Sequence, residues 1–426
     1  MKKKIIVRGP ALSQTGYGEQ CRFALRALRS REDVFDIYLM NIEWGGTNWI
    51  FENNKDRKWI DSLINKSKPL LEKQKANPNF AMFDLSLQVT IPNELQPMAP
   101  RNILYTAGLE TDKVCAAWIG ACHKFADKIL VISEHAKAGL LVPVRAKDEH
   151  ENDLMFTLEK PIEVVHYPVK KMETVELPLE LETDFNFLTL SQFSPRKNFE
   201  NTVRWFVDEF HDDANVGLIV KLYGKGNSRI DQVWCNKQLK GYLEDFPERK
   251  CKIYLLHGYM SDQEIHSLYT HPRIKALINF GHGEGYGLPL FEAAYSGLPV
   301  ITHDFGGQKD FLYAPKKDKK TKKEKMRPFF SKVLYEIKPV QPEVHWQNVI
   351  EPDMNWAWPN GTSCKLAMRE AVNNHGLIKG AAKRLKKWLQ VEFEEGKKYE
   401  AFVEALAGDE LKQQQEIDDL FNQLEL

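Results

Sequence analysis

Short apolar runs alternate with amphipathic segments along the chain, and this alternation occurs in two rounds. A strand buried in a parallel sheet is a short apolar run, whereas a helix packed on a sheet repeats its apolar positions every three to four residues. In the first round, the predicted strands are residues 4–8, 35–40, 102–105, 128–132 and 162–165, and the predicted helices are residues 19–29, 56–75 and 114–125.

A linker-like stretch, residues 168–181, contains two prolines and many charges and precedes the second round. The predicted strands there are residues 185–190, 216–222, 253–256, 276–280 and 299–302, and the predicted helices are residues 198–210, 230–245, 262–269 and a segment opened by Pro289. Strands that alternate with helices favour parallel α/β layers. The sequence therefore predicts a first domain over 1–168, a second over 169–395 and a charged C-terminal helix over 396–426.

Length and composition limit the class of protein. A chain of 426 residues is too long for one typical core, which agrees with two domains. The formal net charge is zero, so no whole-protein field attracts nucleic acid. The six cysteines form no CxxC pair, and the apolar run after the N-terminal lysines is too short for a signal peptide. No run approaches the roughly 20 apolar residues that span a bilayer. We therefore expect a cytoplasmic protein with reduced cysteines.

The segment 276–293 carries the clearest chemical signal. An apolar run predicts a strand up to residue 280, four glycines follow within residues 281–287, and Pro289 opens a helical pattern. A glycine loop lets the backbone approach a phosphate, and the helix N terminus directs free N–H groups at it. Glu284 lies in the loop and Glu292 lies about one turn into the helix. The sequence therefore predicts a phosphate-containing ligand here.

The stretch EGYGLPLFEA, with Glu284 and Glu292 separated by seven residues, resembles the signature of the family-4 (group 1) retaining glycosyltransferases. The run SGLPVI at 296–301 and the glycine pair at 306–307 extend this resemblance. It implies the GT-B fold, in which two Rossmann-like α/β/α domains face a central cleft and the last helix crosses back to the first domain. It also implies that Glu284 faces the donor sugar and that Glu292 holds the ribose hydroxyls. Backbone amides would hold sugar and phosphate, at Gly285, Tyr286, Gly287 and Leu288.

A nucleotide-sugar donor leaves as a diphosphate, whose growing negative charge needs a preorganised positive partner. The chain has no DxD sequence of the kind that holds a divalent metal. The segment SQFSPRKN at 191–198 resembles the family segment that places an arginine and a lysine on the diphosphate, and Lys197 matches the lysine. Gln192 stands where the arginine is usual, so we assign that role to the adjacent Arg196. The resemblance predicts a donor site without a metal or any other cofactor.

The first domain contributes less specific candidates. The loop 9–20 follows a strand and resembles a dinucleotide fingerprint, but Cys21 replaces its third glycine and no Walker A lysine follows. By resemblance, Gly16 and Gly18 reach toward the diphosphate across the cleft, and Tyr259 of the second domain flanks the base. On the acceptor side the resemblance points to two residues, Glu110 and His135. His135 also fits a helix-start residue without a role.

The segment 316–327, KKDKKTKKEKMR, contains eight basic and two acidic residues. Such a run predicts a solvated, mobile loop. A weak contact with an anionic membrane surface or a polyanionic acceptor is the alternative. No aromatic residue is interleaved in it, which argues against nucleic-acid binding.

These observations favour a retaining glycosyltransferase that moves a hexose from a GDP- or UDP-sugar to an acceptor hydroxyl. Glycan, lipid-linked, protein and small-molecule acceptors stay open. The alternatives are a non-catalytic nucleotide-sugar-binding protein, a nucleotide-sugar epimerase or hydrolase of the same fold, and a dinucleotide-dependent oxidoreductase. The failed fingerprint at Cys21 and the absence of an acidic residue after the second predicted strand argue against the oxidoreductase.

Overall fold

The computed structural model describes residues 2–147, 153–318 and 320–424. Each half of the chain is built around a six-stranded sheet whose strands all run parallel. Helices cover these sheets, as buried parallel strands require. The predicted fold of two Rossmann-like α/β domains is confirmed.

The first sheet has the strand order β2-β1-β3-β4-β5-β8. The strands of the first half are β1 Lys3–Gly9, β2 Phe35–Asn41, β3 Leu85–Val89, β4 Arg101–Thr106, β5 Lys128–Val131, β6 Val144–Lys147, β7 Asp153–Phe156 and β8 Ile162–Val164. The helices are α1 Gly16–Arg29, α2 Lys55–Ala76, α3 Ala116–Phe125 and α4 Glu134–Leu141. Strands β6 and β7 form a separate hairpin.

The second sheet has the strand order β11-β10-β9-β12-β13-β16. The strands of the second half are β9 Phe185–Gln192, β10 Val216–Tyr223, β11 Lys252–Leu256, β12 Ile274–Asn279, β13 Val300–Thr302, β14 Tyr313–Lys317, β15 Glu324–Pro328, β16 Ser331–Lys332, β17 Tyr335–Pro339 and β18 Asn355–Pro359. The helices are α5 Phe199–Phe210, α6 Arg229–Leu243, α7 Asp262–Thr270, α8 Leu288–Ser296, α9 Lys309–Leu312, α10 Gly361–Asn373, α11 His375–Glu392 and α12 Glu395–Leu424.

The second sheet reverses its direction of growth between β9 and β12, which lie side by side. In an open α/β sheet, ligands bind beyond the carboxyl ends of the strands at such a switch point. The loops after β9 and β12 are the segments that contain Arg196, Lys197 and Glu284. The topology therefore brings together two motifs that are far apart in sequence.

Strand β3 was not predicted, although it lies at the centre of the first sheet and every residue in it is buried. Its sequence alternates apolar and polar residues, a pattern typical of a half-exposed strand. The buried polar side chains are satisfied internally. The Ser86 hydroxyl contacts Asn102 Oδ1 at 2.7 Å, and the Gln88 amide donates to the carbonyl of Gln96 at 2.6 Å. Tertiary hydrogen bonds thus allow a central position that the pattern alone argues against.

The C-terminal helix α12 returns to the first domain and packs on α1. The Phe402 ring contacts Phe23 of α1 edge-on, with 5.4 Å between ring centroids. Phe402 also contacts Tyr105 of β4 at the same centroid distance. Both rings are fully buried in the core of the first domain. Burying such aromatic surface ties the end of the chain to its beginning.

A second connection between the domains, which we name the clasp, consists of residues 335–359 with the hairpin β17–β18. Asp112 of the first domain makes three hydrogen bonds to Asn355 of the clasp, at 2.8–2.9 Å. Met354 and Trp356 join the buried cluster around Trp118 on α3. The clasp therefore packs as part of the first domain, although it belongs to the second half of the chain.

The segment 316–327 is not a loop. Strands β14 and β15 pair antiparallel from Tyr313–Pro328 to Lys317–Glu324, so most of the segment forms a hairpin. Lys319 lies outside the described residues. The hairpin is anchored at its base by buried Ala314 and by the Phe329 N–H, which donates to the Leu312 carbonyl at 3.0 Å. In the described part of the chain, no helix combines the length and apolar composition needed to cross a bilayer.

Candidate active site

Two loops of the second domain form the centre of the site. The turn Pro195–Lys197 follows β9, and Asn198 then adopts a left-handed conformation with φ of 49° before α5 begins. The Asn198 side-chain amide donates to the Phe280 carbonyl at 2.9 Å. The His282 N–H donates to the Arg196 carbonyl at 2.8 Å. These bonds fix the two loops side by side at the switch point.

Four charged side chains meet there, and we name them the charge cluster. Lys197 Nζ lies 2.5 Å from Glu284 Oε1, and Arg196 lies 3.4 Å from Glu284 Oε2. Arg196 also reaches across the cleft to Glu110 of the first domain at 3.1 Å. Two cations thus face two carboxylates. Arginine and lysine at this position can bind the oxygens of a diphosphate.

Burial and charge act in opposite directions on these groups. Burial alone would raise the pKa of Glu284, but Lys197 and then Arg196 outweigh it and hold that pKa at about 2. Burial, followed by repulsion from Arg196, lowers the pKa of Lys197 despite the attraction of Glu284. Burial would lower the pKa of Arg196, but Glu110 and Glu284 raise it. Glu284 is therefore a carboxylate at neutral pH, ready to accept hydrogen bonds from a sugar.

Polar groups that the sequence prediction did not include support Glu284. The Asn279 amide at the end of β12 donates to Glu284 Oε1 at 3.0 Å. The Gly307 N–H donates to the Glu284 carbonyl at 2.9 Å. The position of Asn279, directly after an apolar strand at its carboxyl end, is a sequence signal that could have identified it.

The glycines of the loop bring the two domains into backbone contact. A Cβ atom added to Gly283 would lie 2.2 Å from the Glu110 carbonyl oxygen, and one added to Gly285 would lie 2.8 Å from that of Ala107. The Ser133 hydroxyl of the first domain donates to the Gly285 carbonyl at 2.6 Å. Only glycine permits such an approach. The cleft is therefore closed at this edge of the charge cluster.

The N terminus of α8 lies next to the loop. Gly287 precedes the helix with φ of 90°, a left-handed conformation that favours glycine. Because glycine has no side chain, no side chain caps the helix at this position. Leu288 begins the helix and Pro289 follows it. Tyr286 instead turns its ring into the core, where it meets Tyr167 at 4.9 Å and has a buried hydroxyl without a partner. The Tyr286 side chain therefore packs in the core.

Glu292 faces a second set of charges. Tyr269 donates to its carboxylate at 3.0 Å. Burial raises the pKa of Glu292 to about 7, and this effect exceeds the opposing influence of nearby Lys170. Lys170, which follows the first domain, pairs with Glu19 on α1 at 2.8 Å and with Asp262 on α7 at 3.0 Å. A carboxyl in this position can accept from the two hydroxyls of a ribose once it is ionised.

The predicted loop of the first domain begins α1. Gly16 is the first residue of the helix, and Thr15 caps it by accepting from the Gly18 N–H at 3.1 Å. A Cβ on Gly18 would lie 2.0 Å from the Ser13 carbonyl oxygen, so the loop needs glycine there. Tyr17 lies between these glycines in the sequence, and its hydroxyl accepts from the Ala107 N–H at 3.3 Å. Ala107 is also the residue whose carbonyl lies against Gly285. The loop thus adjoins the interdomain contact.

Two other candidates lie along the interdomain surface. The Tyr259 ring meets Phe51 of the first domain edge-on at 5.6 Å. His135 packs against Phe305 at 5.0 Å, and its Nε2 atom is buried without a partner. Burial lowers the pKa of His135 to about 4, so the ring is neutral at neutral pH. The contacts of His135 thus differ from those of Glu110, which joins the charge cluster directly.

One group in the described residues has side chains of the type that bind metals. Asp231, Cys235 and His257 place a ligand atom each within 4.8 Å of one another. Asp231 already accepts hydrogen bonds from the Gly224 N–H at 2.9 Å and from His257 at 2.8 Å, and these bonds hold the loop before α6. The arrangement is explained by hydrogen bonding without an ion, and it contributes no residue to the charge cluster.

Comparison with solved structures agrees with this architecture. The chain is similar to the HepE protein of Anabaena in complex with UDP and glucose, with a TM-score of 0.58 and 11% identity over 95% of this chain and all of that one. It is also similar to sucrose-phosphate synthase of Thermosynechococcus elongatus, with a TM-score of 0.59 and 12% identity over 98% of this chain and all of that one. The fold is therefore that of the GT-B glycosyltransferases.

Sequence comparison points to the second domain in particular. Residues 178–317, about a third of the chain, match the family model described as glycosyl transferases group 1. A segment of 119 residues is 34% identical to the serotype-specific mannosyltransferase WbdA of Escherichia coli. That segment is 28% of this chain and 13% of the WbdA chain. The matched family region contains the turn at Lys197 and the loop at Glu284.

Proposed function

We propose that this protein is a retaining glycosyltransferase that transfers a hexose from a GDP- or UDP-sugar to an acceptor hydroxyl and needs no metal ion. One observation carries the proposal. Lys197 and Arg196 lie at the carboxyl end of β9 and bind Glu284 after β12, at the switch point of the second sheet. Cations preorganised at this point suit the developing charge of a departing diphosphate.

The donor would lie mainly on the second domain. Its diphosphate would take hydrogen bonds from Lys197, Arg196 and the first amides of α8, and the Glu284 carboxylate would accept from hydroxyls of the hexose. Glu292 would hold the ribose, and Tyr259 would adjoin the base. Glu284 binds Lys197, so a donor phosphate would share that cation. Gly16 and Gly18 would complete the phosphate site from the first domain.

In the mechanism that we propose, the acceptor attacks the sugar from the face that the phosphate leaves, and the configuration is therefore retained. The departing phosphate oxygen would then take the proton of the acceptor hydroxyl, and the cations would stabilise the phosphate as its charge grows. Glu110 of the first domain pairs with Arg196 and would face the acceptor. In this mechanism no side chain acts as the general base, and the closed cleft limits hydrolysis of the donor by excluding water.

Two of the similar proteins support a hexose but differ in which hexose they indicate. The curated relative is a mannosyltransferase by name, whereas the HepE structure contains UDP and glucose. Both GDP-mannose and UDP-glucose therefore belong in the test. The acceptor is proposed to be a glycan, with lipid-linked and protein acceptors as alternatives.

A thermal-shift panel tests donor binding. A ligand that binds only the folded state raises the melting temperature by mass action. We expect one of UDP-glucose and GDP-mannose to raise it in the presence of EDTA, and we expect the variant Lys197→Met to lose most of this shift. A shift abolished by EDTA would contradict metal independence. A shift with NAD alone would support an oxidoreductase instead, and binding without transfer to any acceptor would support a non-catalytic binding protein.

A further inference from the structure

The hairpin β14–β15 separates its charges between two faces. Residues directly opposite in an antiparallel pair project to the same face, and faces alternate along each strand. Lys316 is opposite Lys325, and Arg327 is opposite Ala314, so these three cationic side chains share one face. We name Lys316, Lys325 and Arg327 the basic face. Like charges that face each other destabilise a strand pair, so folding does not account for this choice of residues.

The opposite face has a different character. Pro315 pairs with Met326 there, and Lys317 pairs with Glu324, with 3.7 Å between the ammonium and the carboxylate. This face is therefore neutral. The positive charge of the paired strands is therefore concentrated on the basic face.

The turn of the hairpin adds further positive charge in a fixed arrangement. The Asp318 carboxylate accepts hydrogen bonds from the N–H groups of Lys320 at 2.9 Å and Thr321 at 2.8 Å. Lys322 adopts a left-handed conformation with φ of 58°. Lys320, Lys322 and Lys323 are all exposed. The single acid of the turn thus binds its backbone while the lysine side chains extend into solvent.

Helix α11 continues this positive surface beyond the base of the hairpin. The guanidinium of Arg384 lies over the ring of Phe329, 5.8 Å from its centroid. Leu377, Arg384 and Val391 recur every seven residues and so share one stripe of the helix. Leu377 and Val391 are 73% and 62% exposed. Exposed apolar side chains beside cations are typical of helices that lie at a membrane interface.

The shape of this surface limits its partner. Every described residue from Pro315 to Pro328 is exposed, so the hairpin is a convex projection. Small ligands and defined oligosaccharides are bound in concave sites that enclose them. A convex basic face suits a broad surface with many negative charges, such as a bilayer that contains anionic lipids. The formal net charge of the chain is zero, so such attraction depends on this local concentration of charge.

We propose that the basic face and the adjoining stripe of α11 bind the surface of an anionic bilayer and hold the protein there. This binding does not depend on the proposed transferase activity. The hairpin follows α9, which contacts the first domain through Asp310, so binding would hold the boundary between the domains near the membrane. The Asp310 carboxylate binds His166 at 3.0 Å and accepts from the Glu134 N–H at 2.8 Å.

The test is co-sedimentation of the full chain with vesicles of phosphatidylcholine, alone or mixed with phosphatidylglycerol. The test variant replaces Lys316, Lys325 and Arg327 with Gln. A matched control replaces Lys58, Lys73 and Lys75, which are exposed on α2, with Gln and removes the same amount of charge. A second control on the neutral face, Lys317→Gln with Glu324→Gln, leaves the net charge unchanged.

We expect the wild type to bind only the anionic vesicles and to dissociate at high salt. The variant of the basic face should lose at least about tenfold in vesicle affinity, since each basic residue near an anionic surface contributes measurably. Both controls should bind like the wild type. Equal losses in the variant and the α2 control, or no vesicle binding by the wild type, would overturn the proposal.

A soluble acceptor separates this proposal from the catalytic one. The variant of the basic face should retain wild-type donor shifts and wild-type transfer to a soluble acceptor. If instead transfer to a soluble acceptor falls while vesicle binding persists, the hairpin binds acceptor and the membrane proposal is wrong. Vesicle binding by a protein that shows no transfer would leave the membrane proposal standing and contradict only the proposed function.

Discussion

The backbone contact between Gly283 and Glu110 across the cleft gives a sharp steric test of the site. A Cβ on Gly283 would lie 2.2 Å from the Glu110 carbonyl oxygen, and the glycine has no positive φ that would strain an alanine by itself. Carbon and oxygen atoms cannot approach so closely, so we expect Gly283→Ala to separate this loop from the Glu110 segment by roughly 1 Å. The change thus acts on the geometry of the cleft without removing any charged side chain.

The expected magnitude follows from the contacts beside this glycine. The Arg196–Glu110 pair spans the same gap at 3.1 Å, and a displacement of roughly 1 Å would take it to the limit of an ion pair. Misplacing reacting groups by this amount can cost about a hundredfold in rate, or about 2.7 kcal/mol of barrier. The donor lies mainly on the second domain in our account, so its binding should change much less than the rate.

The assay measures kcat for transfer and, separately, the thermal shift produced by the donor. Gly281→Ala is the matched control in the same loop, because its Cβ would lie 3.2 Å from the Arg196 carbonyl, within the second domain, and would need only a small adjustment. We expect Gly283→Ala to lose far more transfer than Gly281→Ala, while both retain the donor shift. Wild-type transfer by Gly283→Ala would refute the closed cleft as the reactive arrangement.

Three further predictions concern named groups. Lys197→Ala and Glu284→Ala should each reduce transfer at least about tenfold, roughly 1.4 kcal/mol of transition-state stabilisation, in a steady-state assay, and wild-type rates would overturn the site. The folded-state pKa of Glu292 is raised from 4.5 to about 7, so the folded state binds more protons between these pH values and the free energy of unfolding should fall as pH rises through them. In denaturant titrations, Glu292→Gln should flatten this part of the pH profile. An unchanged profile would contradict the raised pKa. Asp112→Ala should lower stability by about 1–3 kcal/mol, because it leaves the polar groups of Asn355 in the clasp with fewer partners, and a smaller change would show that the clasp contributes little.

The sequence predicted the fold and the second-domain loops well because both are encoded locally. Apolar runs, glycines and a proline at a helix start specify the strand, loop and helix around Glu284 without distant contacts. The adjacent cations Arg196 and Lys197 were singled out by the resemblance of the segment 191–198 to a family motif, and the structure places both beside Glu284. In such cases the residues that define the element are neighbours in the chain.

Other features depend on partners far away in the sequence. Strand β3 carries buried Ser86 and Gln88, whose satisfaction by Asn102 and Gln96 cannot be inferred from alternation alone. The clasp packs on the first domain through contacts such as Asn355 with Asp112, which are separated by 243 residues. The pairing of Arg196 with Glu110 also joins a candidate of the donor side to one of the acceptor side.

The segment 316–327 shows how composition can mislead. Its charged composition is typical of a mobile loop. Lysines occupy both faces of β14, so the sequence shows no alternation of apolar and polar residues that would indicate a strand. The ordering comes from the ends, where Ala314 is buried and Tyr313 meets Phe330 with 5.7 Å between ring centroids. The expectation of a loop was wrong because it considered the lysines and not the apolar anchors that flank them.

The most direct test of the central claim is transfer itself, measured on the wild type and on Lys197→Met with UDP-glucose and GDP-mannose in the presence of EDTA. Products formed on a panel of glycan and lipid-linked acceptors would be detected by mass spectrometry, and NMR would define the configuration of the new linkage. We predict a single hexose added from one donor, with retained configuration and a loss of at least about tenfold in the variant. Inverted configuration, a strict need for metal or equal rates for the two proteins would contradict the account.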